Sequence, residues 1–174
     1  MPETGQAKDA SVEEHPDIQT LWANLLANAA DPRAQTPVLQ MFPSILQDLG
    51  PREVKFLDAL YAQATRTLEA QFIFHAVSQI PFEKIDLLRI YADEGLSGGV
   101  NLATPMFDEQ QQPGFAKVQN TFWLTLDILR HHDVLREVVY QPPGETQESM
   151  NQLLRRFHFT DLGAAFVKAC RPPA

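Results

Sequence analysis

Residues 117–140 read KVQNTFWLTLDILRHHDVLREVVY, and residues 151–159 read NQLLRRFHF. Apolar side chains of the first stretch recur at helical spacing, at Val118, Phe122, Leu126 and Leu129. This spacing predicts an amphipathic helix over Lys117–His132. The valine-rich run Val134–Tyr140 and the alternating run Asn151–Phe159 predict two strands, joined by a turn-rich connection at 141–149. The sequence therefore predicts a helix followed by a β-hairpin, and this unit indicates the fold class.

Amphipathic helical patterns precede this unit, over His15–Asp31, Val38–Leu49, Arg52–Ala64, Thr67–Gln79 and Phe82–Glu94. Within the second pattern, Pro43 should either start a short new helix or kink the existing one. Gly95 is the expected C-terminal cap of the last helix. Residues 96–114 form the longest patternless segment and predict a loop, which in a compact domain is usually functional or disordered.

This order of elements predicts a mainly α protein. N-terminal helices pack on a winged-helix-like unit with one β-hairpin, and a C-terminal helix capped by Thr160 follows. Arg52–Ala64 and Phe82–Glu94 are then the first two helices of the unit, Lys117–His132 occupies the recognition position and Val134–Phe159 is the wing. We divide the chain into a disordered tail (1–12), a helical segment (13–50), the winged-helix-like domain (51–170) and a short tail (171–174).

Composition excludes several classes of protein. The chain has 174 residues, of which 44% are hydrophobic, and this composition is ordinary for a globular domain. Its formal net charge of −8 disfavours electrostatic binding of nucleic acid phosphates along the whole chain. No apolar run is long enough to cross a membrane, and residues 1–10 lack the apolar core of a secretory signal. The single cysteine, Cys170, excludes an internal disulfide. A cytoplasmic location is the expectation.

Catalytic chemistry has no support in the sequence. GxSxG, SxxK and HExxH patterns are absent, and the adjacent acidic pairs are not spaced as a catalytic dyad. His131, His132 and His158 lack converging ligand partners, so helix-end or surface histidines are expected rather than a metal site. We therefore predict no catalytic residue, no metal and no cofactor, and a protein that is not an enzyme.

The last third of the chain holds the one basic cluster. Residues 114–174 carry seven Lys and Arg against six Asp and Glu, whereas the rest of the chain is acidic. The candidate DNA or anion contacts are Lys117, Arg130, Arg136, Arg155 and Arg156. Asp127, Asp133 and Glu137 interrupt the same segment and should cancel much of the attraction for phosphates, so nucleic acid is a disfavoured partner.

The first helix carries an apolar stripe, at Ile18, Leu21, Trp22, Leu25, Leu26 and Ala29. The stripe predicts that Trp22 and both leucines at 25 and 26 are buried. Asn24 and Asn28 lie four residues apart at the edge of this face. They either hydrogen-bond to a neighbouring segment, are hydrated, or present a polar ladder to a protein partner.

Two runs identify a family resemblance. Residues 21–31, LWANLLANAAD, and residues 159–170, FTDLGAAFVKAC, together with LGPRE at 49–53, resemble the bacterial Abi-alpha (abortive infection alpha) family. The resemblance spans about Glu13 to Cys170. It implies a link to phage defence but no established chemistry, so no catalytic residue is carried over.

Two functional hypotheses follow. The first is a non-enzymatic cytosolic interaction module that acts in phage defence through an unidentified protein partner, with a homo-oligomer as a further option. The alternative is a winged-helix DNA-binding protein that regulates transcription. A continuous positive strip along the 117–132 helix and the wing would favour DNA, and an exposed apolar patch would favour a protein.

Overall fold

The computed structural model describes residues 16–31, 33, 39–71, 76–100, 114–140 and 154–172. Helices dominate these ranges, and three strands form one small antiparallel sheet. The helices are α1 (Pro16–Ala30), α2 (Phe42–Asp48), α3 (Pro51–Gln71), α4 (Lys84–Asp93), α5 (Phe115–His131) and α6 (Asp161–Ala169). The strands are β1 (Phe82–Glu83), β2 (Leu135–Tyr140) and β3 (Leu154–Phe159). The predicted mainly α fold is confirmed.

Helix α1 has the predicted position but a narrower buried face. Leu25 is buried in the core, whereas Trp22 is half-buried and Leu26 is 64% exposed. The prediction that Leu26 is a core residue is therefore wrong. Only one edge of α1 faces the other helices, because α1 lies on the outside of the core and its two asparagines, rather than Leu26, face α6.

Proline and glycine set the start of the next two helices. Pro43 lies in the first turn of α2, where its missing N–H removes no helical hydrogen bond, so it starts a short helix rather than kinking a longer one. Gly50 precedes Pro51 at the start of α3, and its N–H donates to Glu53 Oε2 over 3.1 Å. This bond satisfies a helix-end donor that would otherwise be unpaired.

Helix α3 continues past the predicted break. The separate helix predicted for Thr67–Gln79 is wrong over its first residues, which belong to α3 through Gln71. Neither glycine nor proline interrupts this region, and the Thr65 and Thr67 hydroxyls donate to carbonyls one turn earlier in the same helix. Residues 72–75 lie outside the described ranges, and Val77–Gln79 form a short 3-10 helix.

A third strand corrects the predicted single hairpin. Phe82 and Glu83, predicted as the first turn of a helix, form β1 and pair with Phe157 and Arg156 of β3. Helix α4 starts only at Lys84, because Glu83 caps it and exchanges capping-box bonds with Asp86. Gly95 has φ 72° just after α4, as the predicted cap requires.

The hairpin itself follows the sequence prediction closely. Strands β2 and β3 pair antiparallel with Leu135 opposite Phe159 and Glu137 opposite Phe157, and the order across the sheet is β1-β3-β2. The predicted turn at 141–149 lies outside the described residues, as do the predicted tail at 1–12 and residues 101–113 of the predicted loop.

One hydrophobic core joins all these elements. Phe42 of α2 meets Phe166 of α6 edge to face, with ring centroids 5.5 Å apart, and Phe56, Tyr91 and Phe122 form a second aromatic group at 5.3–6.2 Å. The predicted division of the chain at residue 50 stays a prediction, although α1 and α2 contribute to the same core as the rest of the chain.

Candidate functional site

Helix α5 presents a mixed surface rather than a basic one. Its exposed positions follow one helical face, at Lys117, Asn120, Leu124, Asp127 and His131. Leu124, 60% exposed, and Asp127 occupy the middle of this face. Lys117 lies thirteen residues before Arg130, which corresponds to about 20 Å along the helix axis. The two cations of α5 are therefore separated by an apolar residue and a carboxylate.

Arg130 and Arg155 are brought together by a shared carboxylate. Glu137 of β2 accepts from Arg155 Nη1 at 3.1 Å and lies 3.5 Å from Arg130 Nη2. Arg130 also contacts Asp127 at 3.3 Å. Glu137 pairs in register with buried Phe157, so this network lies on the face of the sheet that covers the core.

Arg136 and Arg156 lie on the other face of the same sheet. Successive residues of a strand point to opposite faces, and both positions alternate with the core-facing Leu135, Glu137 and Phe157. Arg136 contacts Asp133 at 3.2 Å, and Arg156 contacts Glu83 of β1 at 3.8 Å. The sequence grouped Arg136, Arg155 and Arg156 in the hairpin, but the pleat of the sheet places Arg155 on the opposite face from the other two.

The four arginines therefore have four carboxylates as neighbours. Each arginine lies within 4 Å of Asp127, Asp133, Glu137 or Glu83, so a phosphate would have to compete with an existing ion pair. The sequence placed three of these carboxylates in the segment; the fourth, Glu83, comes from β1, which the sequence did not predict as a strand. Exposed pairs of this kind contribute little to stability, but they remove the surplus positive charge that phosphate binding uses.

His158 lies between Arg136 and Arg156 on the outer sheet face, opposite Arg136 in the register. Burial lowers the pKa of His158, and the positive charge of Arg156 lowers it further. The neutral ring is therefore the form that this surface favours. The histidine adds no charge to the arginines around it at neutral pH.

We expect the lowered pKa of His158 to make the protein less stable in mild acid. The unfolded chain binds the proton first as the pH falls through 6.5, so the free energy of unfolding decreases from there until the folded-state pKa is passed. Urea unfolding at pH 7.5 and at 5.5 measures the difference, and His158→Gln should reduce it. Equal pH dependence in the two proteins would contradict the assignment.

Asn24 and Asn28, the candidate partner contacts, bond within the chain. Asn24 Nδ2 donates to Cys170 O at 3.0 Å. Asn28 Nδ2 lies 2.9 Å from Ala169 O and 2.8 Å from Arg171 O. Both asparagines therefore hydrogen-bond to a neighbouring segment, which is the first of the three predicted alternatives. Their role in binding a partner stays a prediction. These amides satisfy the carbonyls at the end of α6, which have no helical partner.

A polar cluster inside the core was missed by the sequence reasoning. Glu53, 8% exposed, accepts a hydrogen bond from the Thr125 hydroxyl at 3.1 Å. Tyr91 is fully buried, and burial raises the pKa of its hydroxyl, while Arg52 and Thr125 offset part of that rise. The cluster ties α3 to α5. Because Glu53, Thr125 and Tyr91 are all buried, we assign this cluster a structural role.

Sequence reasoning also missed the exposed apolar residues next to the hairpin. Among the strands of the described residues, β2 is at the edge of the sheet, and Val138 and Val139 are 42% and 52% exposed. Alternation predicts that one of two neighbouring residues is buried, yet both are exposed because the core ends before this part of the strand. The adjacent valines in the sequence were the available signal.

The remaining candidate chemistry is limited. Cys170 is buried, and burial raises the pKa of its thiol to about 12, so it stays protonated and unreactive.

Within the described ranges no three His, Cys, Asp or Glu side chains are grouped to hold a metal ion. In the same ranges, no helix combines the length and the apolar character needed to span a bilayer.

Comparison with known protein families gives a match. The model of a family described as abortive infection alpha matches residues 6–170, nearly the whole chain. No curated protein matches the chain, and no solved structure matches it either.

Proposed function

Because this chain belongs to the abortive infection alpha family, we propose that it is a non-enzymatic interaction module that acts in phage defence by binding another protein. The family match over residues 6–170 supports the defence role. The absence of catalytic sequence patterns supports an interaction role over an enzymatic one.

The free edge of β2 carries the proposal. The order β1-β3-β2 leaves one side of β2 without a strand partner among the described residues. Two exposed valines, Val138 and Val139, lie on that strand, and exposed Leu124 lies on α5, which packs against β2. An open edge with apolar side chains can accept an extended segment of a partner as an additional strand.

The charges around this edge favour an apolar segment as the occupant. Arg136 and Glu137, the charged residues of β2, are already paired with Asp133 and with Arg130 and Arg155. The edge therefore offers main-chain hydrogen bonds and two valines rather than surplus charge. We propose that the partner supplies an extended stretch of apolar, uncharged residues.

Phage challenge of host cells that express the chain tests this proposal. The double variant Val138→Lys/Val139→Lys should lose protection by about tenfold or more in efficiency of plating, because edge lysines disfavour strand addition. Leu26→Lys, which places a lysine at a more exposed apolar position on α1, is the control and should protect as wild type does. Undiminished protection by the double variant, with wild-type thermal stability, would exclude the β2 edge as the contact.

DNA binding remains the second candidate, on one observation. The order α3, β1, α4, α5, β2, β3, with β1 pairing to β3, suits a winged helix in which α5 holds the recognition position. Against it, Leu124 and Asp127 occupy the exposed face of α5, and Arg130 of α5 and the three arginines of the hairpin all have carboxylate neighbours. The charge arrangement favours the protein partner.

We expect no salt-sensitive binding to random-sequence duplex at physiological ionic strength, where non-specific binders have dissociation constants of about 10⁻⁴–10⁻⁶ M. Fluorescence anisotropy over a salt series should give flat titrations for the wild type and for Arg155→Glu/Arg156→Glu alike. Micromolar binding that weakens steeply with salt and disappears in the double variant would instead make β3 part of a DNA-contacting wing and reverse the ranking.

A further inference from the structure

A groove of about 530 Å³ runs between α1 and α3. Leu21 of α1 and Val54, Ala59 and Ala62 of α3 give it apolar walls, and the chain after α6 closes one side at Cys170–Pro172. The volume lies within the range of about 300–1,000 Å³ typical of small-molecule sites. The groove is distinct from the β2 edge.

A narrow apolar crevice continues from this groove into the core. The two cavities share Leu21, Val54 and Cys170 together with the ion pair of Asp58 and Arg171, and the crevice reaches Leu57 and Phe166. The Cys170 thiol contributes no charge, because burial keeps it protonated. An apolar chain that lies in the groove therefore has apolar surface along it and at its inner end.

Two arginines border the groove, and each has unused hydrogen-bonding capacity. Arg171 contacts Asp58 at 2.7 Å through Nη2 and lies 4.5 Å from the centre of the Tyr61 ring. Its Nε–H is shielded from solvent and has no acceptor among the described residues. Arg66 is exposed and makes no ion pair with any residue of the described ranges.

Ala62 lies on α3 between Arg66 and Asp58, the carboxylate that holds Arg171. It follows Asp58, the partner of Arg171, by four residues and precedes Arg66 by four, so the three positions share one face with about 6 Å between neighbours. Ala62 and both arginines line the groove, and the short side chain of Ala62 leaves room there for a ligand. Lys55, the other cation of the groove, is held by Glu94, with Nζ 2.6 Å from the backbone carbonyl and 3.7 Å from the carboxylate.

We propose that this groove binds a small amphipathic carboxylate. Its anionic head lies over Ala62 between Arg66 and Arg171, where bonds to guanidinium N–H groups are charge-assisted. Its apolar chain follows Leu21 and Val54 toward the crevice, where burial of apolar surface stabilises the complex. This site is independent of the partner contact at β2 and adds a ligand to an interaction module.

Calorimetric titration with decanoate, below its micellar concentration, tests the site. Wild type should bind saturably, and Ala62→Phe, which fills the space for the head, should weaken binding at least tenfold. Arg66→Gln should weaken it by about tenfold, the effect expected for loss of one hydrogen bond to a charged group. Arg66 is exposed, so this variant keeps the test valid if the larger side chain at 62 disturbs folding.

Matched controls separate the groove from general surface binding. Arg89→Gln removes an exposed cation of α4 and should leave the affinity unchanged. Decanol, which has the chain without the charge, should bind at least tenfold more weakly than decanoate. Absence of saturable binding by wild type, wild-type affinity in both groove variants, or equal affinity for decanol would each overturn the proposal.

Discussion

Gly163→Ala should lower the free energy of unfolding by about 3 kcal/mol or more, the upper end of what overpacking costs. A Cβ at position 163 would lie 2.1 Å from the carbonyl oxygen of Val134 and 2.7–2.8 Å from its C and Cα atoms. These are backbone atoms between α5 and β2, so they cannot rotate away as a side chain would. Either α6 or the turn would have to move.

The clash is unavoidable because hydrogen bonds hold α6 against this turn. The Thr160 hydroxyl accepts from the N–H of Gly163 at 2.8 Å and donates to the carbonyl of Asp133. The N–H of Thr160 donates to the same Val134 carbonyl at 3.1 Å. A methyl group at 163 would displace the acceptor of that bond as well as the turn.

Chemical denaturation measures this loss, with Ala164→Gly as the matched control. The control changes one methyl group in the opposite direction at the next position, and it should cost only about 0.5–1 kcal/mol of helix propensity. A smaller loss for Gly163→Ala than for the control would show that the approach of α6 to Val134 is looser than the structure has it.

The run FTDLGAAF at residues 159–166 contains both features that a local sequence pattern predicts and one that it does not. The position of Thr160 before an apolar stripe predicts a helix cap, and the structure confirms it. Phe166 follows the same stripe into the core. The role of Gly163 depends on a contact with Val134, twenty-nine residues earlier, which no local pattern contains.

The sheet and the arginines around it show the same difference between local patterns and contacts distant in sequence. Strands β2 and β3 were predictable because each carries a local pattern, whereas β1 has two residues and is defined only by its pairing with β3. Likewise, the sequence places Arg130, Arg136, Arg155 and Arg156 in one region, but their division between two sheet faces depends on register. Glu83, the partner of Arg156, enters only through β1.

Asn28→Ala should cost about 2–3 kcal/mol, because it leaves half-buried carbonyls at the end of α6 without a donor. The Asn28 amide nitrogen lies 2.8–3.1 Å from three carbonyl oxygens, those of Ala169 and Arg171 at the end of α6 and that of Asn24 in α1 itself. Two N–H groups thus join α1 to the end of α6. If this side chain instead served only a partner, the isolated protein would lose no stability.

Asn28→Asp separates the hydrogen bonds from the shape of the side chain. The carboxylate has the same size but donates nothing, and it places negative charge beside the negative end of α6 and its carbonyls. At pH 7 this variant should therefore be less stable than Asn28→Ala. The same surroundings should raise the pKa of the introduced carboxyl group, so its penalty should shrink as the pH is lowered and the protonated group regains a donor. Urea unfolding of both variants at pH 7 and pH 4.5, each compared with wild type at the same pH, measures the two effects, and a carboxyl variant as stable as wild type at pH 7 would contradict the capping role.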